Sequence, residues 1–172
     1  MKRTHFLLIV ILSTVVILLA ACDEKESLPI TFGLTNSPEC KNIDKSAAFN
    51  EKADSLSCIE YTYNSESKTL ILKHINAGYN CCPGKISFDA TFSNDTLIIE
   101  ESETSSLCNC NCLYDLEMEF KNFTDQNFQI KIIEPYLGNC EEINFRIDLK
   151  SDKNGEWCSV RKSYPWGMNS IY

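Results

Sequence analysis

Cys108-Asn109-Cys110-Asn111-Cys112-Leu113-Tyr114-Asp115-Leu116-Glu117-Met118-Glu119-Phe120-Lys121 is the stretch that decides the fold. From Tyr114 onward, apolar and charged residues alternate without a break. A period of two puts Tyr114, Leu116, Met118 and Phe120 on one face of a strand and the charges on the other, whereas a helix would scatter both sets around its circumference. Cys108, Cys110 and Cys112 share the parity of the apolar set. If the strand reaches back that far, all three thiols face the core.

The same period recurs along the chain. Ile59, Tyr61 and Tyr63 alternate with Cys58, Glu60 and Thr62, and Lys68 to Ile75 carries Leu70-Ile71-Leu72. Ile86, Phe88, Ala90 and Phe92 alternate with small polar residues, and Thr96 to Glu101 contains Leu97-Ile98-Ile99. Phe128, Ile130 and Ile132 follow, then Ile143, Phe145, Ile147 and Leu149, with a last strand at Glu156 to Arg161. Asn64-Ser65-Glu66-Ser67, Ser93-Asn94-Asp95, Thr124-Asp125-Gln126 and Asp152-Lys153-Asn154-Gly155 read as hairpin turns between these runs. About eight short strands with tight connections predict an all-β fold, a single antiparallel β-sandwich of immunoglobulin-like or partly open barrel type. One helix is expected in residues 44–56, capped by Asp44 or Ser46. Residues 23–39, with Pro29, Gly33 and Pro38, read as a flexible spacer, which starts the folded domain at residue 40 and runs it to 172.

The 172 residues include 24 acidic and 16 basic ones, a formal charge of −8. That balance argues against a nucleic-acid partner. Ten cysteines suit an oxidising compartment better than a cytosol, so a disulfide-braced domain is expected. Cys81-Cys82 and Cys108, Cys110 and Cys112 form two clusters. In the structural reading, Cys81 and Cys82 each bond to a member of the second cluster, with Cys40–Cys58 and Cys140–Cys158 as further candidate bridges. Alternatively, the clusters hold Zn or Cu through thiolates, or one thiol exchanges with a partner. Cys22 apart, nine cysteines remain, an odd number, so at least one thiol is unpaired, metal-bound or joined to another molecule.

Residues 1–21 follow the plan of a secretory signal. Lys2 and Arg3 precede an apolar run from Phe6 to Leu19, which small residues cut short. Leu19-Ala20-Ala21-Cys22 resembles the lipobox of bacterial lipoproteins. The resemblance implies cleavage before Cys22, a lipid on its sulfur, and residues 22–39 as anchor and tether. The mature chain then has 14 basic and 24 acidic residues, a charge of −10, with His74 as its remaining histidine. Asp23-Glu24-Lys25-Glu26-Ser27 resembles the signal that exports lipoproteins of Bacteroidetes to the cell surface. Together these imply an outer-membrane location, on the surface or on the periplasmic face, with the membrane as one partner. The cysteine-rich β-domain resembles small envelope lipoproteins of gut-type Bacteroidetes, from which no activity carries over. Asp54-Ser55-Leu56 and Asp95-Thr96-Leu97 resemble the O-glycosylation sequon of such organisms, with Ser55 and Thr96 as acceptors.

Catalytic signals are sparse. His74 is expected as a packed or surface residue, and no Gly-x-Ser-x-Gly motif is present; whether a serine and a carboxylate flank the histidine depends on spatial neighbours. Glu100-Glu101 and Glu141-Glu142 read as solvated strand edges. Tyr164 and Trp166, stiffened by Pro165, could plug one end of the sandwich or offer flat rings to a sugar or peptide. The expected role is therefore non-enzymatic binding of a protein or glycan with no cofactor; the alternative is metal handling at the cysteine clusters.

Overall fold

The computed structural model describes residues 29–41, 56–104 and 108–161. The expected signal, Cys22, residues 44–55 of the expected helix, Ser55, Tyr164 and Trp166 lie outside them, while Leu56, the last residue of that expected helix, opens a strand. Among the described residues the chain is all β, with nine strands: β1 (Thr31–Leu34), β2 (Leu56–Asn64), β3 (Thr69–Asn80), β4 (Ile86–Ser93), β5 (Thr96–Glu103), β6 (Asn111–Lys121), β7 (Asn127–Ile133), β8 (Ile143–Asp148) and β9 (Asn154–Val160). They form a sandwich of a five-stranded sheet, ordered β1-β6-β3-β2-β9, and a four-stranded sheet, ordered β4-β5-β7-β8. Every pairing is antiparallel except β5 with β7, which run parallel because the chain crosses to the other sheet as β6 before returning.

The alternating residues behave as their period requires. Tyr114, Leu116, Met118 and Phe120 of β6 are all buried, as are Leu97 and Ile99 of β5 and Phe128, Ile130 and Ile132 of β7. The main core runs between the sheets through Leu70, Leu72, Phe120, Phe123, Phe128 and Ile130. Full burial of each such side chain contributes about 1.5–3 kcal/mol. Aromatic contacts close the two seams. Phe32 of β1 lies 5.4 Å from Phe88 of β4, and Phe145 of β8 stacks on Trp157 of β9 at 5.3 Å. A smaller cluster of Ala77, Tyr79, Ile86, Cys112, Tyr114 and Leu116 fills a second region.

Four expectations change. First, the stretch read as spacer supplies β1, whose residues Thr31 to Leu34 pair with Lys121 to Met118. The same segment continues along the β6 edge: Thr35 N–H donates to the Glu117 carbonyl and Lys41 N–H to the Leu113 carbonyl, both at 2.9 Å. A short edge strand of this kind is held through its backbone, so its side chains show no sustained period. Second, β6 starts at Asn111, which leaves Cys108 and Cys110 in the preceding turn and only Cys112 in core-facing phase. Third, Thr124-Asp125-Gln126 and Asp152-Lys153-Asn154-Gly155 are arches from one sheet to the other, not hairpins, because β6 and β7, like β8 and β9, lie in different sheets. Fourth, the β3 strand continues past Ile75 to Asn80 through a bulge between His74 and Ala77. The other two turns are hairpins as expected, and Asn94 and Asp95 both take the positive φ of a tight two-residue turn.

Candidate functional site

The period of two does not stop where the apolar residues do. One further step at core-facing parity reaches Ser57 at the start of β2, His74 in β3, Glu101 in β5, Glu134 just past β7, and Ser159 then Arg161 at the end of β9. All six are buried. They form a polar layer beside the main core, and along β3 His74 stands between Leu72 of the main cluster and Ala77 of the second.

His74 is the hub. Its Nδ1 lies 2.7 Å from Glu101 Oε1, and its Nε2 lies 2.8 Å from Ser57 Oγ. Tyr79 O–H donates to the second oxygen of Glu101 at 3.1 Å. His74 and Tyr79 are five residues apart, an odd separation that would put them on opposite faces of a regular strand. The bulge adds one residue between them, and Asn76 there adopts φ 62°, so both side chains point inward. Asn76 holds the bulge by donating Nδ2–H to the Leu56 carbonyl at 2.7 Å and accepting from Lys41 Nζ at 2.8 Å. On the other flank, Arg161 donates to Glu134 Oε2 and, at 2.7 Å, to the Glu141 carbonyl, and its Nη2 reaches to 3.4 Å from Ser57 Oγ. The free oxygen of Glu134 is 3.9 Å from His74 Nε2.

The electrostatics follow from burial. Glu101, Glu134 and Arg161 together bury one more negative charge than positive, unless one further proton is held. Burial alone would lower the His74 pKa, but the Glu101 charge and hydrogen bond, with Glu134 beside them, outweigh it and raise the value above 6.5. Burial also pushes the Glu134 carboxyl up, against the pull of His74 and Arg161. Both shifts favour holding a proton within the layer. Tyr79 is raised as well, first by burial and then by Glu101.

Ser57, His74 and Glu101 reproduce the hydrogen-bond order of an acyl-transfer triad. Ser57 is fully buried, however, and Arg161 Nη2 lies 3.4 Å from its hydroxyl oxygen. In this conformation the three residues are a sealed relay joining β2 and β3 of one sheet to β5 of the other. The expectation that Glu101 is a solvated edge residue is overturned, since it is 3% exposed.

The cysteines pair as Cys81–Cys110, Cys82–Cys108, Cys40–Cys112 and Cys58–Cys158. The first two are the expected union of the two clusters. Cys40–Cys58 and Cys140–Cys158 are not formed. Strand order explains the exchange, because β9 lies beside β2 with Cys158 opposite Cys58, while the segment after β1 brings Cys40 to Cys112. Among the described residues Cys140 is left unpaired. All five sulfurs of the two clusters, those of Cys81, Cys82, Cys108, Cys110 and Cys112, are engaged in disulfides, as the structural reading expected. Asn80, unsuspected from sequence, organises this end. Its Oδ1 accepts from Cys82 N–H at 2.9 Å, its Nδ2 donates to the Cys108 carbonyl at 2.7 Å, and its own carbonyl accepts from Tyr114 O–H at 2.9 Å. Nearby, Tyr136 donates to Glu103, and burial with that bond pushes the phenol up to about 12.

Thr96 opens β5 partly exposed, its hydroxyl donating to the Asn94 carbonyl at 3.3 Å. No family model, curated protein or solved structure matches the chain.

Proposed function

We propose that this chain is a lipid-anchored lipoprotein of a bacterial outer membrane whose β-sandwich binds a protein or glycan partner, without catalysis. One observation carries the reading: eight of the nine described cysteines are bonded in four disulfides. Such a domain matures in an oxidising compartment, which agrees with the secretory signal read in residues 1–21. Cys22 in the Leu19-Ala20-Ala21-Cys22 box supplies the anchor. A multiply acylated terminus gives more than the two hydrophobic signals that stable attachment needs. The sealed state of Ser57 favours binding over hydrolysis, and four bridges together with an aromatic core supply a rigid scaffold for a partner.

The test is expression of the full chain and of Cys22→Ala in a Gram-negative host that processes lipoproteins. The proposal requires that the wild-type protein enter the detergent phase with the mass of a lipidated chain starting at Cys22, and that the variant lose both properties. Unchanged membrane fractionation of the variant would refute the anchor. Protease shaving of intact cells then assigns the surface or the periplasmic face. Titration of the purified domain against a glycan panel separates a sugar ligand from a protein one.

A further inference from the structure

We propose that the layer formed by Ser57, His74, Glu101, Glu134 and Arg161 is a proton-operated latch between the two sheets, closed when it holds its extra proton and loosened when that proton leaves. The elements it joins are β2, β3 and the end of β9 in one sheet, and β5 and the end of β7 in the other. In the main core the sheets meet through apolar and aromatic side chains. Here they meet through charge. The groups facing His74 are Ser57 from β2, Glu101 from β5, Tyr79 from β3, Glu134 after β7 and Arg161 after β9.

With the proton in place, His74 and Arg161 balance Glu101 and Glu134. Without it, two carboxylates face one guanidinium in a region where none of the groups is more than 8% exposed. An unbalanced buried charge is costly, and relief comes from hydration, which here means opening this end of the sandwich. The layer also carries polar atoms that find no hydrogen-bond partner among the described residues: Glu134 Oε1, Ser159 Oγ and Arg161 Nε. Those atoms favour admission of solvent at this point rather than at the aromatic core. The direction is specific: the latch is closed in mild acid and loosened in mild alkali. An opened layer would uncover the Ser57–His74 pair to solvent.

The experiment is native-state hydrogen exchange on the wild-type domain at about pH 6 and about pH 9, corrected for intrinsic exchange, alongside the imidazole nitrogen shifts of His74. The proposal expects protection of the Ser57, His74 and Glu101 amides to fall by about tenfold or more across that interval, while the Phe120 and Ile130 amides keep theirs. It also expects the imidazole to carry two protons at the lower pH. A neutral imidazole at both pH values, or a loss of protection spread evenly over the core, would overturn it. Wild-type protein suffices for both readouts. Where His74→Gln folds, its local protection should no longer depend on pH, and a dependence retained in that variant would equally defeat the latch.

Discussion

His74 Nδ1 and Glu101 Oε1 lie 2.7 Å apart with both side chains buried, linking β3 of one sheet to β5 of the other. The pair is held from both ends, since Ser57 engages the far nitrogen of the ring and Tyr79 the second carboxylate oxygen. Removing one partner strands the other. Glu101→Ala should cost about 3–5 kcal/mol in urea denaturation, a large share of the roughly 5–15 kcal/mol typical of a domain. Glu101→Gln keeps an acceptor and should cost less. A loss under about 1 kcal/mol for Glu101→Ala would show that the pair contributes little to stability.

Global stability should fall as pH rises above neutrality. Folded His74 holds its proton more tightly than the unfolded chain, whose value is near 6.5. Its contribution is therefore fully present below that value and lost as pH climbs through the folded one. Glu134, also raised, has the same sign. Glu117 has the opposite sign. The Thr35 hydroxyl and Lys73 hold it below 4.5, so its contribution is present above that value and lost as pH falls through the folded one. Denaturation midpoints measured across this range should trace a maximum in mild acid, and His74→Gln should flatten the alkaline limb.

Thiol counting checks the cysteine assignment. The folded domain, denatured without reductant, should expose Cys140 as its one free thiol among the described residues. Peptide mapping should recover Cys58 joined to Cys158, 100 residues away, and Cys81 joined to Cys110. Replacing Cys58 and Cys158 together with Ala should cost about 2–4 kcal/mol. Recovery of a Cys40–Cys58 peptide would contradict both the Cys40–Cys112 and the Cys58–Cys158 bonds.

Two left-handed residues should respond in opposite ways to glycine. Asp95 has φ 54° in the β4–β5 turn. Asp95→Gly removes the Cβ penalty there and should stabilise by about 0.5–1 kcal/mol. Asn76 has φ 62°, but its side chain ties the bulge to Leu56 and Lys41. Asn76→Gly should therefore destabilise by about 1–2 kcal/mol. Thermal midpoints of the two variants settle the contrast.

Gly155 lies opposite Tyr61 across β2 and β9, and an added methyl group would come within 2.6 Å of the Tyr61 hydroxyl oxygen. Gly155→Ala forces the ring off the glycine and should cost about 1–3 kcal/mol. Tyr61→Leu removes the clash, so the two substitutions combined should cost less than their separate effects added together, which a double-mutant cycle measures.

Tyr114 to Phe120 shows how much could be read locally. Its alternation, repeated in β2, β4, β7 and β8, specified strands and their buried faces, because facing the core is a property of parity alone. The Asn94-Asp95 hairpin was legible for a similar reason, since its turn residues tolerate positive φ. β1 was not, because a four-residue edge strand is held by backbone bonds and leaves little pattern in its side chains. The inward polar residues were visible as letters one step beyond each apolar run, but nothing local distinguished an inward Glu101 from a solvated one.

The sequence by itself determined the all-β class and every strand but β1, through periodicity and turn chemistry, and it offered the union of the two cysteine clusters as one of three readings. Only the tertiary structure decided that Cys58 meets Cys158, that the bulge at Asn76 turns His74 and Tyr79 to the same side, and that five strands deliver their polar residues to one buried layer. Each of these depends on which strands become neighbours. That choice is made by the packing of whole faces, and its long-range pairings leave no mark on the residues between them.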